Sequence, residues 1–91
     1  MTSEKVLAVL DRYEISIGLH ANAVDVDPAK QFEHLLSMIP RMRVFVSEGR
    51  MDKVFRWLGF MQGVLWTLEV YTLDELKEHN SPDAPLPHTA P

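Results

Sequence analysis

The chain has 91 residues, 46% of them apolar, no cysteine, and a formal charge of −4 at neutral pH. That length allows one domain with a modest core. The missing cysteine excludes a disulfide framework, a thiolate nucleophile and a cysteine zinc site, and the acidic balance argues against general nucleic-acid binding.

Thr2 or Ser3 can cap a first helix, with Glu4 and Lys5 in its opening turn. Val6, Val9, Leu10, Tyr13 and Ile17 then recur at helical spacing, and Gly18 is placed to end the helix in a left-handed cap. Residues 18–27 read as a connection. His20, Asn22, Asp25 and Asp27 suggest a metal loop, but a calcium loop needs more carboxylates and a glycine at the bend. Asp27 before Pro28 is better explained as a helix cap followed by proline at the first helical position.

A second helix is predicted from Pro28 to about Glu48, with Phe32, Leu35, Ile39, Met42 and Val46 along one seam. Pro40 falls inside it and removes one backbone hydrogen bond, but the periodicity stays in phase across it, so a kink is expected and not a break. His34 lies on the polar flank. Glu48-Gly49-Arg50 forms a corner in which Gly49 takes positive φ. So short a connection makes the second and third helices antiparallel.

The third helix, MDKVFRWLGFMQGVLWTLEV, organises the chain. Val54, Leu58, Met61, Leu65 and Leu68 form a seam that matches the second helix, and Trp57, Phe60 and Val64 widen it. The opposite arc carries Phe55, Gly59, Gln62, Gly63 and Trp66, with Asp52 and Arg56 at its edge. A surface helix normally spends that side on charge, and each glycine costs about 1 kcal/mol against alanine. Close approach by another helix, a second copy of the chain or a flat ligand explains the pattern. Phe55, Arg56, Gly59, Gln62, Gly63 and Trp66 are therefore the candidate partner-binding residues. A second candidate is the basic end of the hairpin. Residues 41–56 hold Arg41, Arg43, Arg50, Lys53 and Arg56 against Glu48 and Asp52, a local +3 that leaves −7 for the remainder. Arg43, Arg50 and Lys53 are the candidate anion-binding residues, suited to phosphates or an acidic protein.

In YTLDELKEHN, Thr72 caps, Glu75 completes a capping box, and Tyr71 can staple onto Leu76. Lys77 and His79 suit the final turn of this short fourth helix, which Asn80 ends. Residues 81–91 carry four of the six prolines and are expected to form a disordered tail. The expected architecture is thus all-α: an antiparallel helical hairpin with a flanking N-terminal helix and a short C-terminal helix over residues 1–80. Its surplus of apolar side chain favours self-association into a homo-oligomer.

No apolar run reaches the roughly 18 residues of a membrane span. MTSEKVLAVLDRYE lacks a signal peptide's apolar core. A soluble, cytoplasmic protein that does not engage membranes is expected. GxxxxGK[ST], HExxH and GxSxG are absent, and no spacing places a histidine to activate Ser3, Ser16, Ser37, Ser47 or Ser81. No metal or other cofactor is expected, and the chain reads as non-enzymatic.

FRWLGFMQGVLW followed by YTLDELKEHN resembles small helical proteins that recur in bacteriophage genomes, mostly without assigned function. The resemblance covers residues 32–80 and is densest at DKVFRWLGFMQGVLW. More faintly, the chain resembles the helical-hairpin domain of phage sponges that sequester cyclic-nucleotide signals of anti-phage defence. There a helix opens with an acid-lysine pair and ends near a methionine-tryptophan pair, which Asp52-Lys53 and Leu65-Trp66 fit. The family's paired glutamates fall where this chain has Met61 and Gln62. These resemblances imply a phage protein in the host cytoplasm that binds and inhibits or redirects a host protein. The alternatives are a cyclic-nucleotide sponge or a virion assembly component.

Overall fold

The structure, a computed structural model, describes residues 1–23 and 28–81. Four helices follow one another: α1 (Ser3–Ala23), α2 (Pro28–Ser47), α3 (Met51–Thr67) and α4 (Leu73–Asn80). α2 packs against both α1 and α3, and α4 folds back onto α3. Contacts between Arg43 and Glu14, and between His20 and Phe32, show that α1 and α2 run antiparallel. Phe45 on Trp57 together with His34 on Phe60 shows the same for α2 and α3. The protein is an all-α four-helix domain, three packed helices closed by a short fourth. None of the described helices is long and apolar enough to cross a membrane.

Each expected stripe supplies the core. Val6, Val9, Leu10, Tyr13 and Ile17 of α1 are fully buried, as are Ile39 and Met42 of α2 and Val54, Met61 and Leu65 of α3. α2 is continuous across Pro40, and the buried residues on either side, Ile39 and Met42, keep one phase. Burial on both α1 and α3 offsets the lost hydrogen bond. Leu68, placed at the end of the α3 seam by its spacing, is the C-cap residue and only half buried.

Several of the described helix ends follow local chemistry. Thr2 Oγ1 accepts a hydrogen bond from the Lys5 amide at 3.1 Å and starts α1. Gly18 does not end that helix; α1 continues to Ala23. Gly18 keeps an ordinary helical φ. Ile17 is sealed in the core and the His20 ring meets Phe32 of α2 at 5.9 Å, so packing overrides the propensity penalty of one glycine. The cap assigned to Asp27, the loop carboxylate Asp25 and the tail beyond Ser81 lie outside the described residues.

At the hairpin corner Gly49 has φ +74°. The Arg50 amide bonds Phe45 O at 2.9 Å and the Gly49 amide bonds Val46 O at 3.0 Å, the two reverse bonds of a Schellman motif. α3 ends the same way without a glycine. The Val70 amide bonds Leu65 O and the Glu69 amide bonds Trp66 O, with Glu69 at φ +62°. At Thr72 both capping-box bonds form: Glu75 Oε1 accepts from the Thr72 amide at 2.8 Å, and Thr72 Oγ1 accepts from the Glu75 amide at 3.2 Å. Tyr71 and Leu76 are both buried in the core, as a hydrophobic staple requires.

α4 is held by a buried polar cluster that periodicity did not foreshadow. The Tyr13 hydroxyl lies 2.7 Å from His79 Nδ1 and accepts from Gln62 Nε2 at 3.0 Å. Gln62 also exchanges two amide hydrogen bonds with Asn80, at 2.8 and 2.9 Å. When His79 is neutral with Nδ1 unprotonated, the phenol donates its proton there while accepting from Gln62. No described buried side-chain nitrogen or oxygen lacks a partner. Burial pushes the Tyr13 phenol well above its ordinary range. Burial also lowers His79, helped by the Arg12 guanidinium and Lys5 and opposed by Glu75 and Glu78.

Two predictions follow from these ends and this cluster. Replacing Glu69 by glycine relieves the left-handed strain and should stabilise the domain by up to about 1 kcal/mol, raising Tm by about 4–8 °C. An unchanged or lower Tm contradicts that origin of strain. The folded pKa of His79 is below its unfolded value. Its contribution is therefore intact above the ordinary histidine pKa of about 6.5 and is lost as pH falls through that value toward the lowered folded one. Denaturant titrations from pH 8 to 5 should show the loss, and His79→Gln should flatten it. Glu75, lowered chiefly by the Thr72 amide bond, acts in the separate acidic window where carboxylates protonate.

Candidate interaction surface

The outer flank of α3 is where the structure places most of the candidate partner-binding residues. Phe55 is 40% exposed and Trp66 is 54% exposed. Eleven residues separate them, three helical turns or about 16 Å, so they mark the two ends of one face. Gly59 and Gly63 lie exposed between them, and a Cβ added at either meets no atom within 4 Å. Neither α1 nor α4 therefore covers the glycine positions. Arg56 is exposed beside them.

Gln62 does not belong to this open face. Its side chain is buried and fully used by Tyr13 and Asn80. The reason is α4, which returns along α3 and covers the one edge of the arc where Gln62 sits. Hollows lie at both ends of the flank. One, of about 310 Å³, is formed by Met1, Phe55, Gly59 and Asn80. The other, of about 660 Å³, sits in the elbow between α3 and α4, where Trp66, Val70 and Leu73 meet. Leu73 is 51% exposed there.

The three candidate anion-binding residues do not converge. Arg43 turns to α1, where its guanidinium forks onto Glu14 at 3.0 and 3.1 Å and reaches Asp11 at 2.8 Å. Those hydrogen bonds, Glu14 first, raise its pKa above the ordinary value. Arg50 and Lys53 stay at the hairpin corner but lie on aromatic rings. Arg50 stacks over Phe45 at 5.0 Å and sits 3.6 Å from Glu48, while Lys53 Nζ is 4.6 Å from the Phe45 ring and 5.8 Å from that of Trp57. The hairpin corner is thus a cation–π cluster with one exposed ion pair.

Of the two aromatics that widen the α3 seam by spacing, Trp57 packs against the core and Phe60 does not. Phe60 is 54% exposed, and Trp57 is half buried, edge-on to Phe45 at 5.0 Å. On a helical wheel Phe60 lies well off the Val54–Leu65 axis, and that offset was the available signal. His79, which the sequence places in the final turn of α4, is there and is buried at 8% exposure. Only the way α4 docks decides that. His20 of the weighed metal loop is exposed, with Nδ1 2.8 Å from Ser16 O, and Asp25 and Asp27 lie outside the described residues. No cluster of potential metal ligands occurs among the described residues.

The class defined by this geometry is a compact all-α domain of four helices with an apolar, glycine-bearing outer flank. Compared with known proteins, the chain matches no family model, no curated protein and no solved structure.

The open space at both glycines yields a prediction. Gly59→Ala and Gly63→Ala should each stabilise the isolated domain by about 0.5–1 kcal/mol, because helix propensity improves and nothing clashes. Thermal melts at low protein concentration test this. A destabilisation by either substitution means a neighbour already occupies that space.

Proposed function

We propose that the domain is a small non-enzymatic binding protein of the phage type that inhibits or redirects a host protein by occupying one of its surfaces. The observation that carries this reading is the flank of α3, where half-exposed Trp66 and Phe55 bracket two uncovered glycines. Tryptophan and arginine are the residues that most often carry binding energy at interfaces, and Arg56 lies on this flank. The glycines let a partner's backbone approach closely, as small residues do between packed helices. The same flank is the surface through which a second copy of the chain would associate. The phage origin rests on the resemblance of residues 32–80. The sponge reading gains less support, because Arg43 is committed to Asp11 and Glu14 and leaves the hairpin end with two stacked cations.

Trp66→Ala should leave helicity near wild type by circular dichroism, since the ring is half exposed. The same substitution should weaken partner capture or self-association by about 2 kcal/mol, roughly thirtyfold. Light scattering and paired pull-downs with wild type and variant read the second effect. Unfolding of the variant, or capture and association equal to wild type, sinks the assignment.

A further inference from the structure

A second surface lies on the other side of α3, where it meets α2. Two adjoining hollows, of about 350 and 260 Å³, share His34 and Phe60. Their apolar surface comes from Met38, Trp57, Phe60 and Val64. Phe60 is 54% exposed, with the His34 ring edge-on to it at 6.1 Å. From Lys30 to Arg41 the groove follows eleven residues of α2, about 16 Å, the length of three turns of a guest helix.

The charge on this groove departs from that of the chain. The protein is acidic overall, at −4, yet no described residue lining either hollow is a carboxylate. Lys30 and Arg41 line it instead, and Lys53 reaches the Trp57 ring. The Arg41 guanidinium stacks over Trp57 at 5.0 Å. Neither Arg41 nor Lys53 forms an ion pair among the described residues. Among the described residues no carboxylate pairs with either cation, in contrast to Arg43 with its two.

We propose that the α2–α3 groove is a docking site for an acidic amphipathic helix of a protein partner. The guest's apolar residues, at i, i+4 and i+7, pack on Trp57, Phe60 and Met38, and its flanking carboxylates meet Arg41, Lys53 and Lys30. Two copies of this same groove face to face would set Arg41 and Lys53 against their own images, so charge favours an acidic guest over a symmetric dimer here. This surface is distinct from the Phe55–Trp66 flank, and each stands or falls separately.

The test uses the full chain and a fluorescein-labelled helical peptide of about 14 residues with leucine at i, i+4 and i+7 and glutamate on both flanks, alongside a lysine-flanked counterpart. Fluorescence anisotropy should show saturable binding of the glutamate peptide, weakened by added salt. The lysine peptide should bind at least about tenfold more weakly, and Phe60→Ala or Arg41→Glu should each cost the glutamate peptide about tenfold. Both residues are exposed, so circular dichroism should show the variants folded. The double variant Arg41→Glu with Lys53→Glu should reverse the preference between the peptides, and Trp66→Ala should leave it unchanged. Binding of neither peptide, equal binding of both, or loss of binding with Trp66→Ala and not with Phe60→Ala overturns the proposal.

Discussion

The buried hydroxyl of Tyr13 ties three of the four helices together. It stands on α1, accepts from Gln62 of α3, and shares a hydrogen bond with His79 of α4, while Asn80 closes the amide pair with Gln62. Leaving a buried donor or acceptor without its partner costs about 1–3 kcal/mol. A domain of this size holds only several kcal/mol in reserve. The apolar stripes bring the helices together, but burial is not directional, and it leaves their rotation and sliding loosely set. The Tyr13 cluster ties α4 to α1 and α3 in a register that pairs its donors with its acceptors. Tyr71 adds a second tie nearby, with its hydroxyl 2.7 Å from Ser16 Oγ and 3.2 Å from Arg12 Nε.

That arrangement decides which parts of α3 are open. α2 takes the Val54–Leu58–Met61–Leu65 side and α4 takes the edge at Gln62, so two strips of one helix are left uncovered. One holds Phe55, the two glycines and Trp66; the other holds Phe60 beside the α2 groove. They differ in charge and texture. The first is apolar and smooth at its centre, suited to close backbone approach. The second is aromatic and rimmed by Arg41 and Lys53, whose charges rest on rings and not on carboxylates. A small domain has little interior in which to hide eight aromatic residues. Those left outside give it binding surface that a larger fold would have buried.

The hairpin corner shows how local rules and packing share the work. Gly49 adopts positive φ at no steric cost, and the two Schellman bonds set the reversal of direction. Glu69 performs the same reversal with a side chain that resists it. The Thr72–Glu75 box begins immediately after, so α4 starts in a defined direction and can reach Tyr13. Pre-formed helix starts of this kind bring distant residues such as Tyr13 and His79 together with little remaining freedom.

Periodicity and capping chemistry determined much of this protein directly. The three long amphipathic helices, the turn at Gly49, the continuity of α2 through Pro40 and the capping box at Thr72 all depend on residues within a few positions of one another. The exposure of Phe55 and Trp66 was legible for the same reason, since it follows from their place opposite the Val54–Leu65 seam. Other features depend on which helix covers which edge. α1 runs past Gly18 because α2 gives it a surface to lie on. Gln62 is interior and Phe60 exterior because α4 covers one margin of α3 and no described residue covers the other. Arg43 faces α1 and not the hairpin end because α1 offers Asp11 and Glu14 there. His79 is buried because a phenol from the far end of the chain waits for it. Local sequence fixes the helices and their stripes, whose causes span three or four residues; only tertiary packing could settle the margins of those stripes, where a rotation of one helix exchanges inside for outside.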